Sequence, residues 1–438
     1  LFFFPILLGT FFQQLYNTID SVIVGQFVGK EALAAVGGSS AQIVAFVVGF
    51  FTGLSSGASV TIAQFFGAKD SRSANKGLHT AYAIAAFGGL ILTVSGIILT
   101  PFLLEMMNTP ADIVADSAVY LRIYFAGIIF VLIYNMGSAI LRATGDSKRP
   151  LYYLIVCCII NIVLDVLFVI VFHMGVMGVA VATLIAQAVS AVLVTLKLMR
   201  SEGILKLSVK QIRFHGSILK MQLKLGLPTG FEAILFSITN IAIQSAVNTF
   251  GTDTTAAWSA YGKLDAIFWM VSTAFGIAIT TFVGQNYGAG KMDRVRKSTR
   301  VCLLMDFIVS AVLVVFLIAA RFLLFRLFTN DSHVIEIGCD MLVLITPWYI
   351  VYVFIEVIAG ALRGVGNVVV PVAITLLGVC VLRIAWLAAM LKISPTISAI
   401  ILSYPVTWVI TALAFIIYYI YITHKTIAGS SKKHVPKL

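Results

Sequence analysis

Long apolar runs recur along the whole chain, as over 81–99 and 307–320. A spanning helix needs about 20 consecutive apolar residues. Inside lipid every backbone polar group has to be satisfied within the protein, which excludes open strand edges. The runs therefore predict an all-α polytopic membrane protein. A mean hydropathy of +1.03 with only 11% charged residues excludes a soluble domain, which needs far more polar surface.

Twelve spans are expected, at about 1–28, 38–66, 78–104, 118–141, 150–172, 175–199, 225–249, 256–287, 300–326, 338–362, 368–391 and 395–423. Twelve crossings return both termini to one side, and the basic residues decide which. Twenty-three Lys and Arg fall on the side of the 197–224 link; four (Lys30, Arg321, Arg326 and Lys392) fall on the other. Positive loops stay cytoplasmic, so both termini are expected in the cytoplasm of a cell bounded by this plasma (inner cell) membrane. The same distribution explains the net charge of +12 without a nucleic-acid partner. The chain opens on Leu1, not Met, so a short preceding piece is expected.

The chain also repeats. Gln64-Phe65-Phe66-Gly67-Ala68 returns 221 residues later as Gln285-Asn286-Tyr287-Gly288-Ala289. Leu141-Arg142-Ala143-Thr144-Gly145 returns as Leu362-Arg363-Gly364-Val365-Gly366, and Pro150 as Pro371, at the same offset. An offset of six spans keeps orientation. The fold expected is two parallel six-helix bundles about a pseudo-two-fold axis along the membrane normal, an architecture common among secondary transporters. The lobes are expected at 1–199 and 225–423, with a basic cytoplasmic linker at 200–224 and a basic tail at 424–438. Gly49, Gly53 and Gly57 share one face of the second span, which predicts close helix packing.

Carboxylates inside apolar spans are the most informative residues, since each costs about 2.5–3.5 kcal/mol at a helix centre on the insertion scale. Asp20 in span 1 and Asp165 in span 5 fall at one depth, and Thr183 of span 6 reaches the same level. Gln13, Tyr16, Asn17 and Asp20 share one helical face, and Asn161 and Asp165 are four apart. No Lys or Arg lies mid-span nearby. Acids buried without a base are expected to exchange a proton near neutral pH, so this cluster reads as a proton or cation site. Pro5 stands in span 1 either to bend it or as a tolerated first-turn residue. In the second half Glu232, Asp265 and Glu356 share their spans with Lys263 and Arg383, which predicts a structural ion-pair network. Asp306 is expected at an interface. Five scattered cysteines show no metal or disulfide spacing, and no nucleophile–base pair or phosphate loop occurs, so neither cofactor, metal nor enzyme activity is expected.

Gln14-Leu15-Tyr16-Asn17-Thr18-Ile19-Asp20, the two Leu-Arg-x-x-Gly segments and Asn161-x-x-x-Asp165 resemble the multidrug and toxic compound extrusion (MATE) family over essentially the whole chain, and its DinF-like bacterial branch in particular. The resemblance implies a V-shaped pair of bundles exporting lipophilic cations in exchange for H⁺ or Na⁺. It implies a cation-responsive site at Tyr16, Asp20, Asn161, Asp165 and Thr183, joined by Asn135. Glu232 and Glu356 sit about a turn from where other branches hold a second-half cation site, so none is expected there. The function expected is cation-coupled antiport, with H⁺ favoured over Na⁺, of drugs and other xenobiotics by a monomer in the bilayer. The alternative is a lipid-linked oligosaccharide flippase of the same superfamily, whose cavity carries basic residues instead.

Overall fold

The computed structural model describes residues 2–429, with side chains through 423. The basic tail expected at 424–438 lies, from 430 onward, outside the described residues. Helices α1 (Phe3–Phe27), α2 (Lys30–Gly37), α3 (Ser39–Gly67), α4 (Ser71–Met106), α5 (Val114–Ala143), α6 (Lys148–Asp165) and α7 (Gly175–Met199) come first. After a short linker follow α8 (Gly216–Asn248), α9 (Thr252–Gly288), α10 (Met292–Arg326), α11 (Ser332–Ile345), α12 (Tyr349–Gly364), α13 (Val369–Thr375), α14 (Leu382–Ile393) and α15 (Ile397–Gly429). No strand occurs among the described residues. Eleven continuous helical segments there are long and apolar enough to cross a membrane. The chain is thus an all-helical, multi-pass membrane protein.

Helix α1 is a twelfth, at 25 residues long enough to span but interrupted by Gln13, Gln14, Asn17 and Asp20. Three features were not expected. The short α2 buries Ala32, Ala35 and Val36. Pro347 breaks the tenth span into α11 and α12 through a tight turn, Thr346–Trp348. And α4, α8 and α10 begin several residues before the apolar runs, because their first turns are polar. Asp70 caps α4, its side chain accepting the Ser73 amide at 3.0 Å.

The 221-residue repeat is structural down to its helix ends. Ser71, Ala143 and Lys148 mark helix boundaries, and so do Met292, Gly364 and Val369, each 221 residues on. Lys69 (φ 57°) and Gly290 (φ 70°) occupy left-handed backbone at equivalent places, as do Gly145 (φ 98°) and Gly366 (φ 87°). Each closes its helix identically: the Asp146 amide reaches Leu141 O at 2.9 Å and the Asn367 amide reaches Leu362 O at 3.0 Å. These are left-handed C-terminal caps. The fifth span of each half also carries a π-helical turn, at Val166–Val171 and Leu376–Val381.

The chain divides into two compact units, Leu1–Ala233 and Ile234–Leu438, with the division inside α8. The glycine stripe of α3 explains why α8 begins in the first unit. A Cβ on Gly53 would come within 2.4 Å of the Gly230 amide nitrogen, and one on Gly57 within 2.4 Å of Gly226 N. The packing expected of Gly53 and Gly57 is therefore backbone against backbone, with Gly49 looser against Ala233 at 3.4 Å. Gly53→Leu has no side chain to push aside and should cost at least about 3 kcal/mol, the upper end of overpacking. Detergent-solubilised protein should lose its folded gel-filtration peak or melt well below wild type; an unchanged melting temperature would contradict this packing. In the second unit Phe268 and Tyr349 stack at 3.9 Å in the core, with Trp408 fully buried beside them.

Candidate functional site

Helix α1 packs on α6, and α6 on α7, so three helices bring the sequence-predicted acids and their partners to one place. Asp20 is 7% exposed, Thr183 4%, and Asn161 and Asp165 are wholly buried. The Thr183 hydroxyl donates to Asp20 Oδ2 at 3.5 Å, and Asn161 Nδ2 donates to Thr183 Oγ1 at 3.5 Å. Both contacts are long, and they leave the cluster short of donors. Asp20 Oδ1, Asn161 Oδ1 and both carboxyl oxygens of Asp165 are buried with no hydrogen-bond partner. Buried oxygens normally find a donor. Four such oxygens in one cluster with no basic side chain are acceptors that a proton or a cation would complete.

Local backbone geometry favours such a site. The α-helical part of α6 ends at Asp165, and the π-helical turn follows at once. A π turn adds a residue to the helix, breaks its regular bonding and is frequent at functional sites. Tyr16 is buried one turn before Asp20 on α1. The polar face expected on α1 divides, however: Tyr16 and Asp20 point inward, whereas Gln13 and Asn17 are exposed. Asn135 on α5 is half-buried and makes no hydrogen bond to the cluster. Pro5 lies in the first described turn of α1.

The second-half charges separate into distinct groups. Asp265 Oδ1 accepts from Tyr349 at 2.5 Å and Tyr261 at 3.2 Å, and its Oδ2 from Trp269 Nε1 at 2.7 Å. Arg383, buried, donates to Thr407 at 3.0 Å and lies 4.0 Å over the Tyr404 ring. These two groups meet through aromatic packing, since Trp408 lies between Tyr404 and Tyr349. Glu356 pairs with Arg363 at 3.9 Å. Gly276 makes room for it, because a Cβ there would meet Glu356 Oε1 at 2.0 Å. Glu232 is buried, and Lys263 is exposed and outside any ion pair among the described residues. The expected single network is thus an aromatic-lined Asp265, a cation–π Arg383 and a separate Glu356–Arg363 pair.

Asp306 departs from the interfacial role expected of it. It is fully buried, with Oδ1 accepting from Ser310 at 3.1 Å and Oδ2 lacking a donor. Its neighbours Leu304, Met305, Phe307 and Ile308 are exposed, so Asp306 is buried on one face of α10 with Thr299 and Ser310.

With this geometry in view, the comparisons are specific. The MatE family profile matches residues 5–167 and 228–387, once in each half. The chain is 30% identical to a probable multidrug resistance protein YoeA of Bacillus subtilis, with 86% of this chain and 83% of the relative covered. It is 28% identical to a probable multidrug resistance protein NorM of Thermotoga maritima, over 87% and 82%. The crystal structure of a MATE protein in the bent conformation matches the fold with a TM-score of 0.91 at 20% identity, over 98% of this chain and 95% of the other.

Proposed function

This chain belongs to the MatE family of membrane transporters, and we propose that it is a multidrug exporter in which protons entering at the Asp20–Asp165 cluster drive lipophilic cations outward. The observation that carries this is the set of four donorless buried oxygens on Asp20, Asn161 and Asp165. Two ionised carboxylates held together in a dry site repel, so a proton shared between them is favoured. That proton would supply the donor that Asp165 lacks. Binding of a lipophilic cation then displaces it, and reprotonation from outside releases the drug. Linkage makes the exchange reciprocal: whatever free energy the proton costs drug binding, the drug costs proton binding. A site rich in acid and free of Lys and Arg suits cations better than lipid-linked pyrophosphates. Dye efflux from proteoliposomes under separately imposed pH and Na⁺ gradients tests the reading.

Orientation belongs to the same proposal. With 23 basic residues on one side against four, the linker faces the cytoplasm. In a cysteine-free background Glu202→Cys, on the exposed linker, should react with an impermeant thiol reagent only after cells are permeabilised. Labelling of intact cells would reverse the topology.

A further inference from the structure

The linker between Met199 and Gly216 is pinned to the first turns of α4. Asn75 Nδ2 donates to Ile204 O at 3.2 Å and to Lys206 O at 3.1 Å. The Ser208 amide donates to His79 Nε2 at 3.0 Å, and the His215 amide to Thr80 Oγ1 at 3.3 Å. His79 turns Nδ1 to Asn75 O at 2.8 Å. With Nε2 accepting, Nδ1 carries the proton and the ring is neutral. His79 is therefore a buried strut and not a ligand.

Linker and helix together wall a cavity of about 340 Å³. Arg72, Lys76, Lys210 and Arg213 line it, and no acid does. None of the four forms an ion pair among the described residues. Asp70, the acid next along the chain, is engaged at the cap of α4, where the Ser73 amide holds its carboxyl below the usual carboxylate range. His215 is pushed below the usual imidazole value by partial burial first and then by Arg213 and Lys76. The positive charge of the cavity thus rests on the four cations at neutral pH.

We propose that this cavity binds the phosphate of an anionic phospholipid headgroup. Four cations outside any ion pair among the described residues, gathered on the linker and the first turns of α4 at the end of a membrane-spanning helix, match a phosphate at the bilayer surface. The neighbouring surface favours lipid over free phosphate. Phe214, beside Arg213, meets Phe87 of α4 edge-on at 5.9 Å, and both rings are largely exposed. Phe87 is eleven residues along α4 from Lys76, about 16 Å along the helix toward the apolar span at 1.5 Å per residue. A bound headgroup would therefore have its acyl chains laid along an apolar pair.

The test uses the full-length purified protein and measures retention of phosphatidylglycerol against phosphatidylcholine by native mass spectrometry, beside thermal melting with each lipid or with inorganic phosphate. Lys76→Gln with Lys210→Gln should weaken phosphatidylglycerol retention about thirty-fold, at about fivefold per surface cation. Lys297→Gln, at the repeat position of Lys76 but outside the cavity, should change retention less than about twofold. Gel filtration and melting without added lipid confirm that each variant is folded. Equal retention of the two lipids by wild type, or equal phosphatidylglycerol retention by wild type and the double variant, would overturn the site. Protection by inorganic phosphate as strong as by phosphatidylglycerol would overturn its assignment to lipid.

Discussion

Asp20→Asn is expected to reduce drug export to the level of protein-free liposomes while leaving a folded protein in the membrane. The amide has nearly the size of the carboxyl and keeps the acceptor that Thr183 faces at 3.5 Å. It cannot ionise, so it can neither release a proton to an arriving cation nor balance that cation's charge. Folding is spared because a neutral amide is cheaper to bury than a carboxylate without a partner, and its NH₂ can donate toward the neighbouring unsatisfied oxygens. Stability should therefore be unchanged or slightly raised. Asp165→Asn should behave alike, for its two oxygens lack donors entirely. Glu232→Gln should impair export less than either. Equal loss in all three variants, with equal melting temperatures, would move the coupling site away from the Asp20–Asp165 cluster and toward Glu232 on α8.

The route from sequence to this site was partly direct. Apolar period, lipid chemistry and the 221-residue repeat specify the helices and their duplication, and the capped ends at Gly145 and Gly366 show the repeat in backbone geometry. Asp20, Asn161, Asp165 and Thr183 were legible because each breaks an apolar run at one depth, and depth follows from counting residues along a straight helix. Rotation about the helix axis is less legible. The polar face of α1 was read as one surface, yet Asn17 is exposed while Tyr16 and Asp20 are buried. The π turn after Asp165 has no local signature, because Val-Leu-Phe-Val-Ile-Val reads as ordinary span. Partner choice among buried charges was illegible too. Asp265 is satisfied by Tyr349, Tyr261 and Trp269, and nothing in residue spacing announces that three aromatic donors will converge on one acid. Asp306 was misplaced for a different reason: hydropathy marks where lipid begins, not where helix packing does.

Hydropathy alone would also have passed over α1, the helix that carries Asp20. Its polarity comes from Gln13, Gln14, Asn17 and Asp20, of which Asp20 is buried near Tyr16 while the other three are exposed.

The largest effect follows from the choice of coupling ion. Were Asp20 and Asp165 a sodium site, the four unsatisfied oxygens would serve as ligands, the carboxylates would stay ionised, and transport would stop without Na⁺. Were they a proton site, one proton would serve as the missing donor and Na⁺ would be dispensable. Ethidium efflux from proteoliposomes prepared without Na⁺ distinguishes the two directly. An imposed gradient that drives protons in the direction opposite to the drug should suffice for efflux from wild-type protein, and Asp20→Asn under the same gradient should show none. Efflux that stalls in wild type until Na⁺ is added on the side from which the driving ion enters would contradict the proton account and make Asp20, Asn161 and Asp165 a sodium site.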